Sequence, residues 1–550
     1  MRPTSSIPDT SYDALIRDFA WKIPRLFNIG VAVSDAWAAR APERFCLQHF
    51  QPDGQHQTLT YGAFAAQSSA LAAGLLARGV QPGDRVAILL PQGFAAAIAH
   101  AAIYKLGGIA LPLALLFGVE ALEYRLRDAG ACSVITDRSG VARLSDIRAR
   151  VPDLRLIVCT DGGEGAAEAG ATVSFDALTA TEASGFVAAE TGPDDPALMI
   201  YTSGTTGPPK GALHGHRVLL GHIPGFQFHH AGLPQAGDRM WTPADWAWAG
   251  GLLNALLPSL LLGVPVVSSP AQKFDPHMAF RILSEMKVRN AFIPPTALRL
   301  MTAVAHPRTQ YDFELRTVGA AGEALGRETF EQASQALGVA ISEFYGQTEC
   351  NIVISSSAAY GVLKAGSMGK AAPGHVVDII DQAGTVLPRG QVGQVAVRRP
   401  DPVMFLGYWG NPAATQAKFI GDWMTTGDQA VMDADGYIRF FGRDDDVITS
   451  SGFRIGPSEV EDCLAGHPAV RMAAVIGKPD PVRTEIVKAY VVLAEGYAAS
   501  DSLAAALSDW VKTRLSMHEY PREVAFVDSL PLTTSGKILR RLLRDAEARM

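Results

Sequence analysis

The chain has 550 residues, enough for two or three domains, and is 48% hydrophobic and 19% charged. A formal net charge of -7, without a long run of Lys and Arg, excludes nucleic-acid binding driven by phosphate neutralisation. Scattered Gly and Pro exclude a fibrous repeat, and five dispersed cysteines (Cys46, Cys132, Cys159, Cys350, Cys463) without CxxC spacing exclude a disulfide framework or zinc site.

The opening segment MRPTSSIPDTSYD lacks the charged-then-apolar order of a signal peptide. The most apolar stretch, residues 250–267, contains Asn254, Pro258 and Pro265, so it is expected to form a buried helix followed by a strand rather than a membrane span. Free thiols and no export signal point to a soluble cytoplasmic protein.

In chain order, DRVAILL (84–90) reads as a buried strand, and GFAAAIAHAAIYKLG (93–107) as the helix after it. CSVITD (132–137) and LRLIVCT (154–160) repeat the strand signal, and ALMIY (197–201) follows. Strands alternating with helices predict a layered α/β architecture with largely parallel sheets. From about Gly366 the segments become shorter and richer in β-formers: VVDIID (376–381), QVAVRR (394–399) and YIRFFGR (437–443). Turns separate them, as in a small antiparallel barrel or distorted sheet. The acidic triplet 444–446 then precedes a compact α/β stretch to the last residue, which predicts a second domain with a hinge near the triplet.

YTSGTTGPPKG (201–211) leaves the predicted strand at 197–201. Gly204, Gly207 and Gly211 permit tight turns and close backbone approach, while Ser203, Thr205 and Thr206 supply hydroxyl donors and Lys210 a positive charge. Such a segment suits a phosphate chain, but no Gly-Lys-[Ser/Thr] closes it as in a Walker A loop. Taken alone it reads more readily as a polar surface loop, as most Gly/Ser/Thr stretches are.

Its order, and that of the motifs after it, resembles the adenylate-forming superfamily of acyl-CoA synthetases, luciferases and peptide-synthetase adenylation domains. The resemblance implies that Thr202, Ser203, Gly204, Thr205, Thr206, Gly207 and Lys210 hold phosphate. Gly322-Glu323-Ala324 resembles the family's adenine-contacting segment, with Ala in place of the frequent Pro. Tyr345-Gly346-Gln347-Thr348-Glu349 is similar to a further core motif, in which the aromatic ring stacks on adenine, Thr348 meets the α-phosphate and Glu349 helps hold Mg2+. These residue types suit the tasks: a flat ring for a base and a carboxylate oxygen for a hard cation. By the same resemblance Asp428 holds the ribose hydroxyls, Arg443 assists there, and Asp445 is the hinge. Gly452 lets a pantetheine arm pass, Arg454 reaches a phosphate, and Lys537, in PLTTSGKILRR (531–541), is the lysine of adenylate formation.

The implied fold is a large N-terminal domain of layered α/β subdomains with a small β-barrel-like part (1–443), a hinge (444–446) and a small mobile C-terminal α+β domain (447–550). The implied activity joins a carboxylic acid to coenzyme A with ATP and Mg2+, through an acyl-adenylate and release of diphosphate. A homodimer is compatible with the resemblance. Segments such as GSMGKAAPG (366–374) and GYWGNPAATQAKF (407–419) bring the chain nearest the acetyl-CoA and medium-chain synthetase branch. In acetate-specific relatives a Trp occupies the position of Gly346, and small residues at Ala249, Gly250 and Ala321 beside Trp248 enlarge the expected acyl pocket. Each extra buried methylene is worth ~0.8 kcal/mol. Four beyond acetate give roughly 3 kcal/mol, near a hundredfold preference for a medium-length, branched or aromatic acid. Two alternatives stay open at this stage: transfer to a carrier-protein phosphopantetheine thiol, and a non-catalytic nucleotide-binding regulator.

Overall fold

In the computed structural model, residues 11–162, 172–183, 185–202, 208–269, 273–444, 446–450, 453–480, 483–516, 518–533 and 537–549 are described, those at 453 and 454 by their backbone alone. The apolar run at Arg85–Leu89 forms a strand buried from Val86 onward without polar alternation, as a parallel strand covered on both faces must be. It pairs in parallel with Ile109–Pro112 and Ser133–Thr136, and the sheet continues through Leu156–Cys159 to Thr172–Ser174. On the other side Ile109–Pro112 meets Pro196–Thr202, which turns the edge antiparallel through Lys210–Gly215 and Gly407–Tyr408. The helix Phe94–Leu106 is Ala-rich and buried along most of its length, and Gly107 ends it at φ 77°, a conformation that favours glycine. Lys105 is buried inside this layer because Asp35 Oδ2 lies 2.7 Å from its Nζ and two serine hydroxyls accept from it.

A second mixed sheet holds Met240–Trp241, Asn290–Phe292, Thr317–Ala320 and Ile341–Gln347 as parallel neighbours. Beyond Ile341–Gln347 the chain reverses into Asn351–Ser355. The apolar stretch at 250–267 forms a π turn (Leu252–Leu256), a helix (Leu257–Leu262) and the strand Val266–Ser268, so the expected helix-then-strand order is observed. No helix among the described residues is long and apolar enough to cross a membrane.

From Val377 the predicted change of texture becomes an antiparallel sheet of Val377–Ile380, Val392–Arg398, Trp423–Met432, Phe419–Ile420 and Ile438–Arg443. Its last strand ends at Arg443, and the next, Ile448–Ser450, belongs to a separate sheet with Phe453–Ile455, Val470–Asp480, Thr484–Leu493 and Glu523–Phe526. The helix Pro457–Ala465 of that small domain packs against the helix Arg327–Leu337 and the strand Ile438–Arg443 of the large one. Chain ends of parallel strands, where backbone groups and loops converge, are the natural ligand side of such sheets. Thr202, Ala321 and Gln347 all lie at or just past strand ends of this kind.

Candidate active site

Asp428 sits in the strand Trp423–Met432, 4% exposed, and gathers residues from three segments. Tyr345 Oη donates to its Oδ2 at 2.5 Å, and Gln347 Nε2 donates to the same oxygen at 2.7 Å. Gln347 also donates to the Thr426 carbonyl at 2.9 Å. Arg443 Nη1 lies 3.0 Å from Oδ1, because the strand register pairs Asp428 with Arg443 directly. Oδ1 itself is buried, with the Arg443 guanidinium as its charged neighbour. Burial and then the Asp428 charge push the Tyr345 phenol well above its usual range, which keeps it a donor.

Glu349 follows on the turn after Gln347 and is 7% exposed. Tyr408 donates its hydroxyl to Oε1, and the Phe405 N–H donates to the Glu349 carbonyl at 2.8 Å. Lys210 Nζ lies 5.4 Å from the centre of the Tyr408 ring, so a cation and a carboxylate approach the same phenol. Thr202 and Lys210 are register partners where their strand pair ends, and Tyr124 Oη donates to the Pro209 carbonyl at 3.0 Å. The expected Ser203, Gly204, Thr205, Thr206 and Gly207 contacts lie outside the described residues.

The segment after Thr317–Ala320 is shaped by two carboxylates. Gly322 is exposed at φ 102°, where a side chain is strained. Glu323 does not face outward: its Oε1 accepts the Thr296 N–H at 3.2 Å and its Oε2 accepts Arg299 Nη2 at 2.8 Å. It thereby caps the helix Pro295–Thr302. Beneath the segment, Glu343 Oε1 accepts the Leu325 N–H at 3.1 Å, and burial pushes this carboxyl up to about 7.

Phe292, Ala321, Phe344, Ile352 and Ala372 form an apolar cluster immediately behind Tyr345. Gly250 borders it, since a Cβ there would stand 3.1 Å from Phe292 Cε1. Trp248 packs edge-on against Phe117 with ring centres 5.7 Å apart, and Ala249 begins the short helix beside it.

Gly346 behaves differently from the expectation that it merely opens the pocket. A Cβ on it would stand 1.3 Å from the Asn351 carbonyl oxygen. The register between Ile341–Gln347 and Asn351–Ser355 shifts at this point, and the bulge brings the two backbones together. The glycine is therefore required by the bulge, and a Trp there displaces backbone before it fills any pocket.

Tyr345, Gln347, Asp428 and Arg443 are thus joined in one cluster, with Glu349 beside Tyr408 and Lys210. Lys537 is not joined to them: its side chain is exposed, and its N–H bonds Thr533 Oγ1 at 2.9 Å within its own loop. Asp445, Gly452 and the Arg454 side chain lie outside the described residues. Sequence reasoning missed Tyr408, Thr296 and Arg299. Tyr408 lies in a segment singled out above, but nothing local to it says that its hydroxyl reaches a residue 59 positions away.

The pattern that defines AMP-binding enzymes matches residues 34–409, and that of the AMP-binding enzyme C-terminal domain matches 459–537. The human acyl-coenzyme A synthetase ACSM2B, mitochondrial, is 35% identical over 545 residues, covering 96% of this chain and 92% of that protein. The anthranilate CoA ligase AuaEII, solved with anthranoyl-AMP, has a TM-score of 0.87 at 28% identity, covering 96% of this chain and 99% of that one. The benzoate CoA ligase from Burkholderia xenovorans LB400 has a TM-score of 0.83 at 28% identity, covering 94% of this chain and all (100%) of that one. With the Asp428 cluster and the ordered motifs, these likenesses show that the chain belongs to the AMP-binding enzyme family and is an AMP-forming acyl-CoA synthetase.

Proposed function

We propose that the acid is of medium length, branched or aromatic rather than acetate. The observation that carries this reading is the apolar cluster of Phe292, Ala321, Phe344, Ile352 and Ala372 behind Tyr345, with Gly250 at its border. The cluster is apolar and its alanines and Gly250 take little volume, which suits an apolar acyl group and offers little to hold a second charge. The likeness to ligases named for anthranilate and benzoate supports the aromatic option.

ATP lies with its base against the Tyr345 ring and the Gly322–Ala324 backbone, and its ribose hydroxyls at Asp428 Oδ1 near Arg443. Thr202, Ser203, Gly204, Thr205, Thr206, Gly207 and Lys210 hold the outer phosphates, and Thr348 meets the α-phosphate. Glu349 fits a Mg2+ ligand: Tyr408 occupies one of its oxygens, and no group of three His, Cys, Asp or Glu gathers among the described residues to make an all-protein cage. One carboxylate with substrate phosphates and water is the usual company of this ion. When bound, Mg2+ offsets negative charge on the triphosphate.

The acid's carboxylate oxygen attacks the α-phosphorus, and the bond to diphosphate breaks. The coenzyme A thiol then attacks the acyl carbonyl, losing its proton, and AMP leaves. Lys537 supplies positive charge in the first step. Its exposed position is explained if residues 447–550 rotate about 444–446 between the steps, so that the arrangement described here belongs to the second, with Gly452 and Arg454 serving the pantetheine arm. Five unpaired cysteines support a reducing, cytoplasmic setting.

The test is diphosphate release from ATP and Mg2+ across acetate to decanoate, branched acids and benzoate, with and without coenzyme A. Coenzyme-A-dependent turnover is expected to peak at hexanoate, a branched acid or benzoate. A peak at acetate contradicts the acid class.

A further inference from the structure

The helix Arg327–Leu337 starts directly after the segment that carries Gly322, yet it has no cap of its own. Its N-cap is Gly326, at φ 73°, and no side chain there bonds the first-turn N–H groups. Unpaired N–H groups at a helix start cost stability unless another group accepts them. The acceptor comes from the other domain. Asp462, on the helix Pro457–Ala465, accepts the Arg327 N–H at 3.0 Å and is also bonded by the Glu328 backbone.

The fit is close. A Cβ on Gly326 would stand 1.9 Å from Asp462 Oδ1, so the carboxylate occupies the space that this glycine leaves. Glu459, one turn earlier on the same helix, pairs with Arg439 of the large domain. A Cβ on Gly456 would stand 2.1 Å from the Phe441 carbonyl oxygen. The segment 322–327 is therefore gripped twice, by Glu343 from within the large domain and by Asp462 from the small one. Its first half, Gly322–Ala324, is the part proposed to meet the nucleotide base.

We infer that Asp462 is a positioning residue for thiol transfer: by capping the helix at Gly326 it latches the small domain in the orientation that leaves Lys537 in solvent. This rests on the two-orientation reading given above. The latch is released whenever the small domain turns to present Lys537. Asp462 touches no reacting atom. Its effect is confined to the population of one orientation.

The experiment separates the two half-reactions, using the acid that gives the highest diphosphate release. Acid-dependent ATP–diphosphate exchange reads adenylation, and single-turnover thioester formation from the acyl-adenylate and coenzyme A reads transfer. Asp462→Ala and, from the opposite side of the interface, Gly326→Ala are expected to slow transfer about five- to tenfold while exchange stays within about twofold, the size of one lost cap. Asp462→Asn, which still accepts the N–H, is expected to keep transfer near the unaltered rate. Equal slowing of both half-reactions, or no slowing of transfer, overturns the inference. Lys537→Ala is run beside them: loss of exchange with transfer retained upholds the two orientations, and unchanged exchange overturns that reading and the latch with it.

Discussion

Tyr345 donates its hydroxyl to Asp428 Oδ2 at 2.5 Å, which ties the parallel-sheet strand Ile341–Gln347 to the antiparallel strand Trp423–Met432. The bond fixes the ring proposed to face the base and the carboxylate proposed to face the ribose as one unit. Tyr345→Phe keeps the ring and removes the tie, a loss of about 1 kcal/mol. The expected result is a KM for ATP raised about fivefold with kcat little changed. Asp428→Ala also removes the Gln347 bond at 2.7 Å and the Arg443 ion pair at 3.0 Å, and steady-state kinetics are expected to show a larger rise.

Gly346 and Ala321 are expected to respond in opposite ways. Gly346→Ala forces the Asn351 carbonyl aside and destabilises by about 1–3 kcal/mol, lowering Tm and activity with every acid alike. Ala321→Leu extends into the apolar cluster and shifts preference toward shorter acids with Tm little changed. Thermal unfolding and an acid panel on both variants check the pair.

Glu343 predicts a pH dependence. Its carboxyl is raised by burial from 4.5 to about 7 in the folded chain, so between those values the unfolded chain releases a proton that the folded chain keeps. Its contribution to stability is full below about pH 4.5 and falls as pH rises, until it levels off above about 7. Glu343→Gln keeps an oxygen for the Leu325 N–H and removes this slope, a gain at pH 8 of up to about 3 kcal/mol. Denaturant unfolding at pH 5 and pH 8 compares the two proteins, and equal gains at both values contradict the assignment.

Arg540, three residues past Lys537, donates Nη2 and Nε to Glu461 at 2.6 and 3.0 Å and Nη1 to Asp446 at 3.3 Å. Arg544 Nη1 reaches the other Asp446 oxygen at 2.6 Å. The helix that follows the lysine loop is thus fastened to the residue beside the proposed hinge. Arg540→Gln leaves Glu461 without its guanidinium while Asp446 keeps Arg544, and is expected to lower adenylation at least about tenfold, at a cost of roughly 3 kcal/mol in stability. Arg540→Lys, which retains the charge but not the fork, is expected to recover part of the exchange rate.

Much of the fold was legible because burial on both faces of a parallel sheet writes itself as uninterrupted apolar runs. The run at 84–90 is observed as Arg85–Leu89, and that at 154–160 as Leu156–Cys159. Tyr345, Asp428 and Arg443 were legible as motif members, but their joining was not, since the bond from Tyr345 to Asp428 spans 83 residues. Gly346 was read for what its missing side chain leaves open, whereas a bulge two strands wide decides its identity. Asp462 sits in an ordinary amphipathic stretch, and only the domain arrangement turns it into a cap. Glu323 looks like a ligand residue in the sequence, yet a helix start elsewhere claims its carboxylate.

The central claim is that the acid is activated by bonding to AMP, and isotope transfer from the acid tests it most directly. The preferred acid, labelled with oxygen-18 in both carboxylate positions, is turned over with ATP, Mg2+ and coenzyme A, and the products are weighed by mass spectrometry. The account predicts one labelled oxygen in each AMP and none in the diphosphate, because the carboxylate attacks the α-phosphorus and leaves an oxygen there. Label in orthophosphate or diphosphate, or unlabelled AMP, contradicts the adenylate route.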